Sequence, residues 1–172
     1  MSDAGLKQVL SRLSQSLVRD DVVQEVSNEL RNYLEVDRVV LYYFYQQWEG
    51  QVTFEALSAP EYSLFGSKGP DDCFNGEYAA MYQAGRVAII EDIEVSSLTE
   101  CHRDFLRGLK VRANLVVPVL PPQGLWGLLI AHHCHQPRIW SQKDIEKMQQ
   151  GAKRLAESDS IYQFKRTNSL RL

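Results

Sequence analysis

Two short, strongly apolar hairpins lie between stretches of helical period, and this pattern restricts the fold more than any other feature of the chain. Residues 36–45 carry Val39, Val40, Leu41, Tyr42, Tyr43 and Phe44, β-branched or aromatic types that suit a pleated backbone. Glu49-Gly50 reads as a turn. Residues 52–57 then alternate, with Val52, Phe54 and Ala56 against Thr53 and Glu55, the period of a strand with one buried face. A second hairpin is expected from 113–120 and 125–133 around Pro121-Pro122-Gln123-Gly124. Ahead of these strands, Leu6, Val9, Leu10, Leu13 and Leu17, then Val22, Val23, Val26, Leu30 and Leu34, recur at helical spacing. Asp20-Asp21 separates the two stripes, where a carboxylate can accept from the free N–H groups that open a helix. Behind the strands, Ser141 opens a helix carrying Ile145, Met148, Ala152 and Leu155, with Ser141 and Asp144 at capping-box spacing. Helices at both ends of a run of antiparallel strands imply an α+β sandwich, the first and last helices packed together on one sheet face.

The middle of the chain, 58–110, is irregular. Pro60, Gly66, Gly69 and Pro70 punctuate 58–75. Residues 76–84 read as a short helix stopped at Gly85, 87–90 as a short strand, and 101–109 as a helix with Phe105, Leu106 and Leu109 on one side. Irregular segments of this length are uncommon in a compact domain unless they serve a site. This one is expected to cover the second face of the sheet. With 172 residues the chain suffices for one core and is too short for two ordinary domains. The expectation is a single domain over 1–172, with a core of about 20–160 and flanking helices at 1–19 and 150–172. The net charge of -3 lacks the excess of basic residues that marks a nucleic-acid binder. No run reaches the ~18 apolar residues of a membrane helix, and 1–10 has no signal-peptide pattern. A soluble, cytoplasmic protein without nucleic-acid or membrane partners is expected.

Three cysteines, Cys73, Cys101 and Cys134, are too few and too odd in number for a disulfide scaffold, which points to a reducing compartment. Cys101 stands beside His102 at the start of a short helix, where the helix N-terminus favours thiolate; the alternative is a small buried apolar residue. Cys73 lies in Asp71-Asp72-Cys73-Phe74, among acids that tend to keep a thiol protonated, and on its own reads first as an incidental loop cysteine. His132-His133-Cys134-His135 looks like a metal cluster, but alternation on a strand leaves at most two of the four on one face, short of a zinc site. His132 is expected to point toward a pocket and His133 into solvent, with Cys134 as inert packing. The Lys153-Arg154 and Lys165-Arg166 pairs, mixed with Glu157 and Asp159, read as a solvated helix face. Walker, GxGxxG, GxSxG and HExxH motifs are absent.

Taken together, these residues resemble a family. Asp71-Asp72-Cys73-Phe74 resembles the Asp-x-Cys-Phe motif of the dual-cysteine cyanobacteriochromes, members of the phytochrome superfamily. Cys101-His102 is similar to their bilin attachment site, at the family's separation from Asp71. Ala113-Asn114-Leu115-Val116-Val117-Pro118, Leu129-Ile130-Ala131-His132 and Pro137-Arg138-Ile139-Trp140 extend the likeness over roughly residues 5–160. The resemblance implies a GAF domain: a central antiparallel sheet, terminal helices on one face and a chromophore pocket on the other. It implies a photoreceptor rather than an enzyme, with phycocyanobilin or phycoviolobilin as cofactor. Cys101 would form the thioether to the bilin A ring and His102 would pack beside the rings. Asp71 would place its carboxylate at the pyrrole N–H groups, His132 would lie against the chromophore, and Phe74 and Tyr82 would contact it.

Cys73 would be the second cysteine, adding reversibly at the central methine bridge. Addition there makes the carbon tetrahedral and shortens the conjugation, so absorption moves to the blue; light turns the D-ring double bond and the thioether can release. Blue/green photocycling is the family's default, with blue/orange and blue/teal members also known. A Cys73–Cys101 disulfide would consume both thiols. The outer helices, 3–18 and 142–164, suit a homodimer or an output domain elsewhere. Two other classes fit a GAF-like chain: a thiol redox enzyme similar to the free methionine sulfoxide reductases, using Cys73 and Cys101, and an unpigmented ligand-binding or dimerisation module.

Overall fold

The computed structural model describes residues 3–46, 49–69 and 76–163. Asp71, Cys73 and Phe74 lie outside the described residues. Among the described residues the principal helices and strands follow in the order α1 (Asp3–Arg19), α2 (Asp21–Leu34), β1 (Arg38–Gln46), β2 (Glu49–Leu57), α3 (Gly76–Gln83), β3 (Ala88–Ile90), α4 (Glu100–Gly108), β4 (Ala113–Val119), β5 (Gly127–His133) and α5 (Gln142–Ala156). The strands form one sheet in the order β2-β1-β5-β4-β3, every pairing antiparallel.

Local chemistry sets the helix boundaries. Asp20 caps α2, its carboxylate accepting from Val22 N and Val23 N at 3.0 and 3.4 Å, as its position between the stripes suggests. The Ser141–Asp144 capping box is complete in both directions. The apolar stripes of α1, α2 and α5 join the inner residues Val39, Leu41, Tyr43, Leu115, Val117, Leu129 and Ala131 in one core. The expected neighbourhood is refined in one respect: α2, not α1, lies against α5, while α1 packs on α2 and on the β2 edge. Arg154 of α5 reaches Glu25 and Glu29 of α2 across that seam.

Two further expectations change. Glu49 and Gly50 belong to β2, where they pair with Gln46 and Phe44, rather than forming a turn. Alternation along β2 is also broken, because the register slips between Leu41 and Tyr42, which pair with Phe54 and Val52. The extra residue, Thr53, is fully buried, and the slip turns Phe54 toward the helix side and Val52 toward the other. Gly127 is required where β5 meets β1: a Cβ there would sit 2.0 Å from the Tyr42 carbonyl oxygen. None of the helices among the described residues is long and apolar enough to cross a membrane.

Candidate functional site

The sheet face opposite the helices carries Val40, Tyr42, Val52, Val116 and Leu128, and the irregular middle of the chain folds over it. The two surfaces enclose a cavity of about 470 Å³, mostly apolar, of the size that small-molecule and cofactor sites have. Arginines hold the cover in place. Arg103 of α4 donates to the Ile93 and Ser96 carbonyls at 2.9 and 2.7 Å, and Arg112 grips Asp92 at 2.7 Å. That hydrogen bond to Arg112 holds the Asp92 carboxyl below its ordinary value. Trp140, in the Pro137–Trp140 signature, is buried and donates Nε1 to the Ile90 carbonyl at 3.2 Å, tying the segment after β5 to β3.

Four cavity residues matter chemically. His102 enters from α4, whose start is capped by Thr99, its Oγ1 accepting from His102 N at 3.2 Å. Burial, helped by the nearby Arg86, lowers the His102 pKa. Tyr82 of α3 is buried in the wall, with the Arg86 guanidinium 6.0 Å from its ring centre. His132 and Asn114 come from the sheet, where they are direct cross-strand partners. Cys101 is exposed at the outer side of the same first turn of α4, next to His102 and outside the cavity lining. The structure records Cys101 as disulfide-bonded, so the thiol form belongs to the reduced chain.

His132 is only 3% exposed and takes a hydrogen bond at Nδ1 from Arg38 Nε at 2.9 Å. Burial, with Arg38 adding to it, depresses the His132 pKa well below the imidazole range, so the ring is neutral. Arg38, His132 and Asn114 pair across β1, β5 and β4, a polar row through an otherwise apolar face. Asn114 is 6% exposed and its Oδ1 is buried with no hydrogen-bond partner. An orphan carboxamide oxygen in a cavity wall is expensive unless a ligand donor meets it. A molecule with N–H groups and carbonyl or carboxylate oxygens along an extended apolar body fits this lining; a bilin has these features.

The structure brings His102, Tyr82 and His132 together around one cavity. His133 differs: it lies on the helix side of β5 and is half-buried, because a central strand is covered on both faces, and burial lowers its pKa. Cys134 is a free, half-buried thiol whose pKa is raised by burial. No group of three or more metal-binding side chains occurs among the described residues. Arg38 carries no site signal in the sequence, because an arginine opening a strand normally reads as a solvated end. Asn114 stands there only as part of the Ala113–Pro118 signature.

A helix-backed, five-stranded antiparallel sheet with a cavity on its other face is the GAF architecture. Residues 18–158 match the GAF domain family, and the chain belongs to it. Within that family it is similar to cyanobacteriochrome GAF domains. It is 30% identical to the blue-light absorbing form of the Thermosynechococcus elongatus PixJ GAF domain, with a TM-score of 0.72 over 99% of this chain and 93% of that one. It is 26% identical to a phycocyanobilin-bound GAF domain from a cyanobacterial phytochrome, with a TM-score of 0.70 over 87% and 91% of the two chains. The first of these neighbours is a blue-light absorbing domain and the second holds phycocyanobilin. Among curated proteins it is 49% identical to an uncharacterized protein of Picosynechococcus over 91% of this chain and 96% of that one. It is 36% identical to a putative methyl-accepting chemotaxis protein of Synechocystis over 82% of this chain but only 14% of that protein.

Proposed function

We propose that this chain is a photosensory domain that holds a linear tetrapyrrole in the cavity through a thioether from Cys101. The observation that carries this reading is the convergence of His102, Tyr82, His132 and the partnerless Asn114 carboxamide on one apolar cavity, beside the turn that bears Cys101. The bilin, when bound, supplies visible absorption and light-driven isomerisation at its D ring. The chain supplies the rest. Cys101 tethers, His132 donates from Nε2, Asn114 accepts, and Val40, Val116, Leu128 and Ile130 exclude water. On the strength of the motif, Cys73 adds the second, reversible thioether that gives a blue-absorbing state. Asp71 accepts from the pyrrole N–H groups and Phe74 contacts the rings. Phycocyanobilin or phycoviolobilin is the pigment, and blue/green is the favoured photocycle. Both thiols have to be reduced, which suits a cytoplasmic setting, and the signal leaves through the outer helices to an output partner or a second copy.

Co-expression with bilin biosynthesis genes tests this directly. The expected product is coloured, fluoresces with zinc on a denaturing gel, and changes its absorption spectrum reversibly under blue light. Cys101→Ala should lose the covalent band, and Cys73→Ala should keep the pigment while losing the blue-absorbing state. A colourless wild-type product under reducing conditions would refute bilin binding; a persistent blue state in Cys73→Ala would refute the role of Cys73.

A further inference from the structure

We propose that Arg38 is a positioning residue that fixes the tautomer of His132, holding Nδ1 as an acceptor and leaving the proton on Nε2 toward the cavity. What the ring meets there rests on the bilin reading; the state of the ring does not.

Arg38 is 1% exposed, and all three guanidinium nitrogens are spent on neutral acceptors. Nε donates to His132 Nδ1 at 2.9 Å, Nη1 to the Tyr62 carbonyl at 2.9 Å, and Nη2 to the Leu109 carbonyl. A guanidinium does not lose its proton in a protein, so the Nε–H is a permanent donor. His132 Nδ1 is therefore an acceptor. A protonated ring, or the other neutral tautomer, would set two N–H groups head to head across 2.9 Å. The proton is left on Nε2, on a side chain that lines the cavity. The remaining contacts fix where the guanidinium sits. Leu109 caps the C-terminal end of α4 and Tyr62 ends the 3-10 turn Pro60–Tyr62. One planar fork thus joins the strand bearing His132 to the helix bearing Cys101 and His102. A lysine ammonium, a single point on a flexible stem, cannot span three acceptors in one plane.

The charged and titratable groups around this pair are few. Asp37, Glu55, Tyr62 and Cys134 act on Arg38 through space. Asp37 itself is turned to Cys134 N at 2.7 Å and to His135 at 3.3 Å. From β4 the neighbour is the uncharged Asn114, and Tyr42, Tyr82, Lys68, Arg86 and His102 stand elsewhere in the cavity wall.

The test uses the full chain, uniformly labelled with 15N, without pigment and then with it. In the pigment-free wild type, a coupling across the hydrogen bond should link Arg38 Nε and His132 Nδ1. The ring should show a protonated Nε2 and a bare Nδ1, unchanged between about pH 8 and about pH 5.5. Arg38→Met and Arg38→Lys should both lose the coupling and let the His132 ring nitrogens average or titrate. Arg38→Lys keeps the charge, in case the apolar variant fails to fold. A proton on Nδ1 in the wild type, or unaltered His132 signals in a folded Arg38→Lys, would overturn the assignment. With pigment bound, Arg38→Lys should move the absorption maximum and make it pH-dependent. An unmoved spectrum despite an altered ring would overturn the claim that the bound group accepts from His132. A wild type that takes up no pigment would instead refute the bilin reading, and the coupling would still decide the role of Arg38.

Discussion

Replacing Asn114 by leucine should stabilise the pigment-free protein and weaken its hold on the ligand, two effects of opposite sign from one substitution. The Asn114 side chain is nearly buried, and its Oδ1 has no partner. Such an orphan costs about 1–3 kcal/mol, and an apolar side chain of similar reach removes the cost. Overpacking does not cancel the gain, because the side chain faces a cavity of about 470 Å³. A net gain of about 1–2 kcal/mol in a domain of this size raises the melting temperature by roughly 3–6 °C. With ligand bound, Oδ1 accepts a hydrogen bond worth about 0.5–1.5 kcal/mol, which leucine forfeits. Calorimetry of the wild type and Asn114→Leu, each with and without bilin, reads both terms. The variant should melt higher without pigment and gain less on loading. A lower melting temperature without pigment would refute the reasoning, since it would mark Asn114 as a satisfied structural residue rather than one held in reserve for a ligand.

Two other outcomes follow from the same geometry. Gly127→Ala places a Cβ against the Tyr42 backbone in the centre of the sheet, and it should destabilise by about 1–3 kcal/mol, read as a lower urea midpoint; an unchanged midpoint would contradict the β1–β5 approach. Acid should destabilise the pigment-free protein from near neutrality: His132 and His102 both have lowered pKa values in the fold, so the unfolded chain binds more protons below its own histidine pKa. Their contribution is complete above about pH 6.5 and falls by up to ~1.4 kcal/mol per pH unit for fully buried His132 as the pH drops. His132→Gln should flatten that slope in urea titrations at successive pH values; an equal slope would show that His132 is not held neutral.

Much of the fold was legible because it is local. The two helical stripes, the Asp20 cap and the Ser141–Asp144 box act within a few residues, and each stands where the sequence indicated. What escaped was set by partners far along the chain. The slip at Thr53 depends on which β1 residue faces it, and the half-burial of His133 depends on a central strand being covered on both sides. The site divides in the same way. His102, Tyr82 and His132 announced themselves by residue type and motif. Arg38 is legible only once β1 lies beside β5, since it meets His132 across 94 residues of sequence.

That seam also sets the order of events when the protein is made. β1 and β5 are neighbours in the sheet although β2, α3, β3, α4 and β4 are all translated between them. At ribosomal speeds of about 5–20 residues per second, β1 waits about 5–20 s for the strand that pairs with its free edge. Through that interval the nascent chain carries an apolar, unpaired strand edge, the kind of surface that invites chaperones or aggregation. The floor of the cavity runs across the same junction, with Val40 and Tyr42 on one side and Leu128, Ile130 and His132 on the other. A pigment therefore cannot act as a template for early folding: the ligand has no pocket to enter until the last strand has docked.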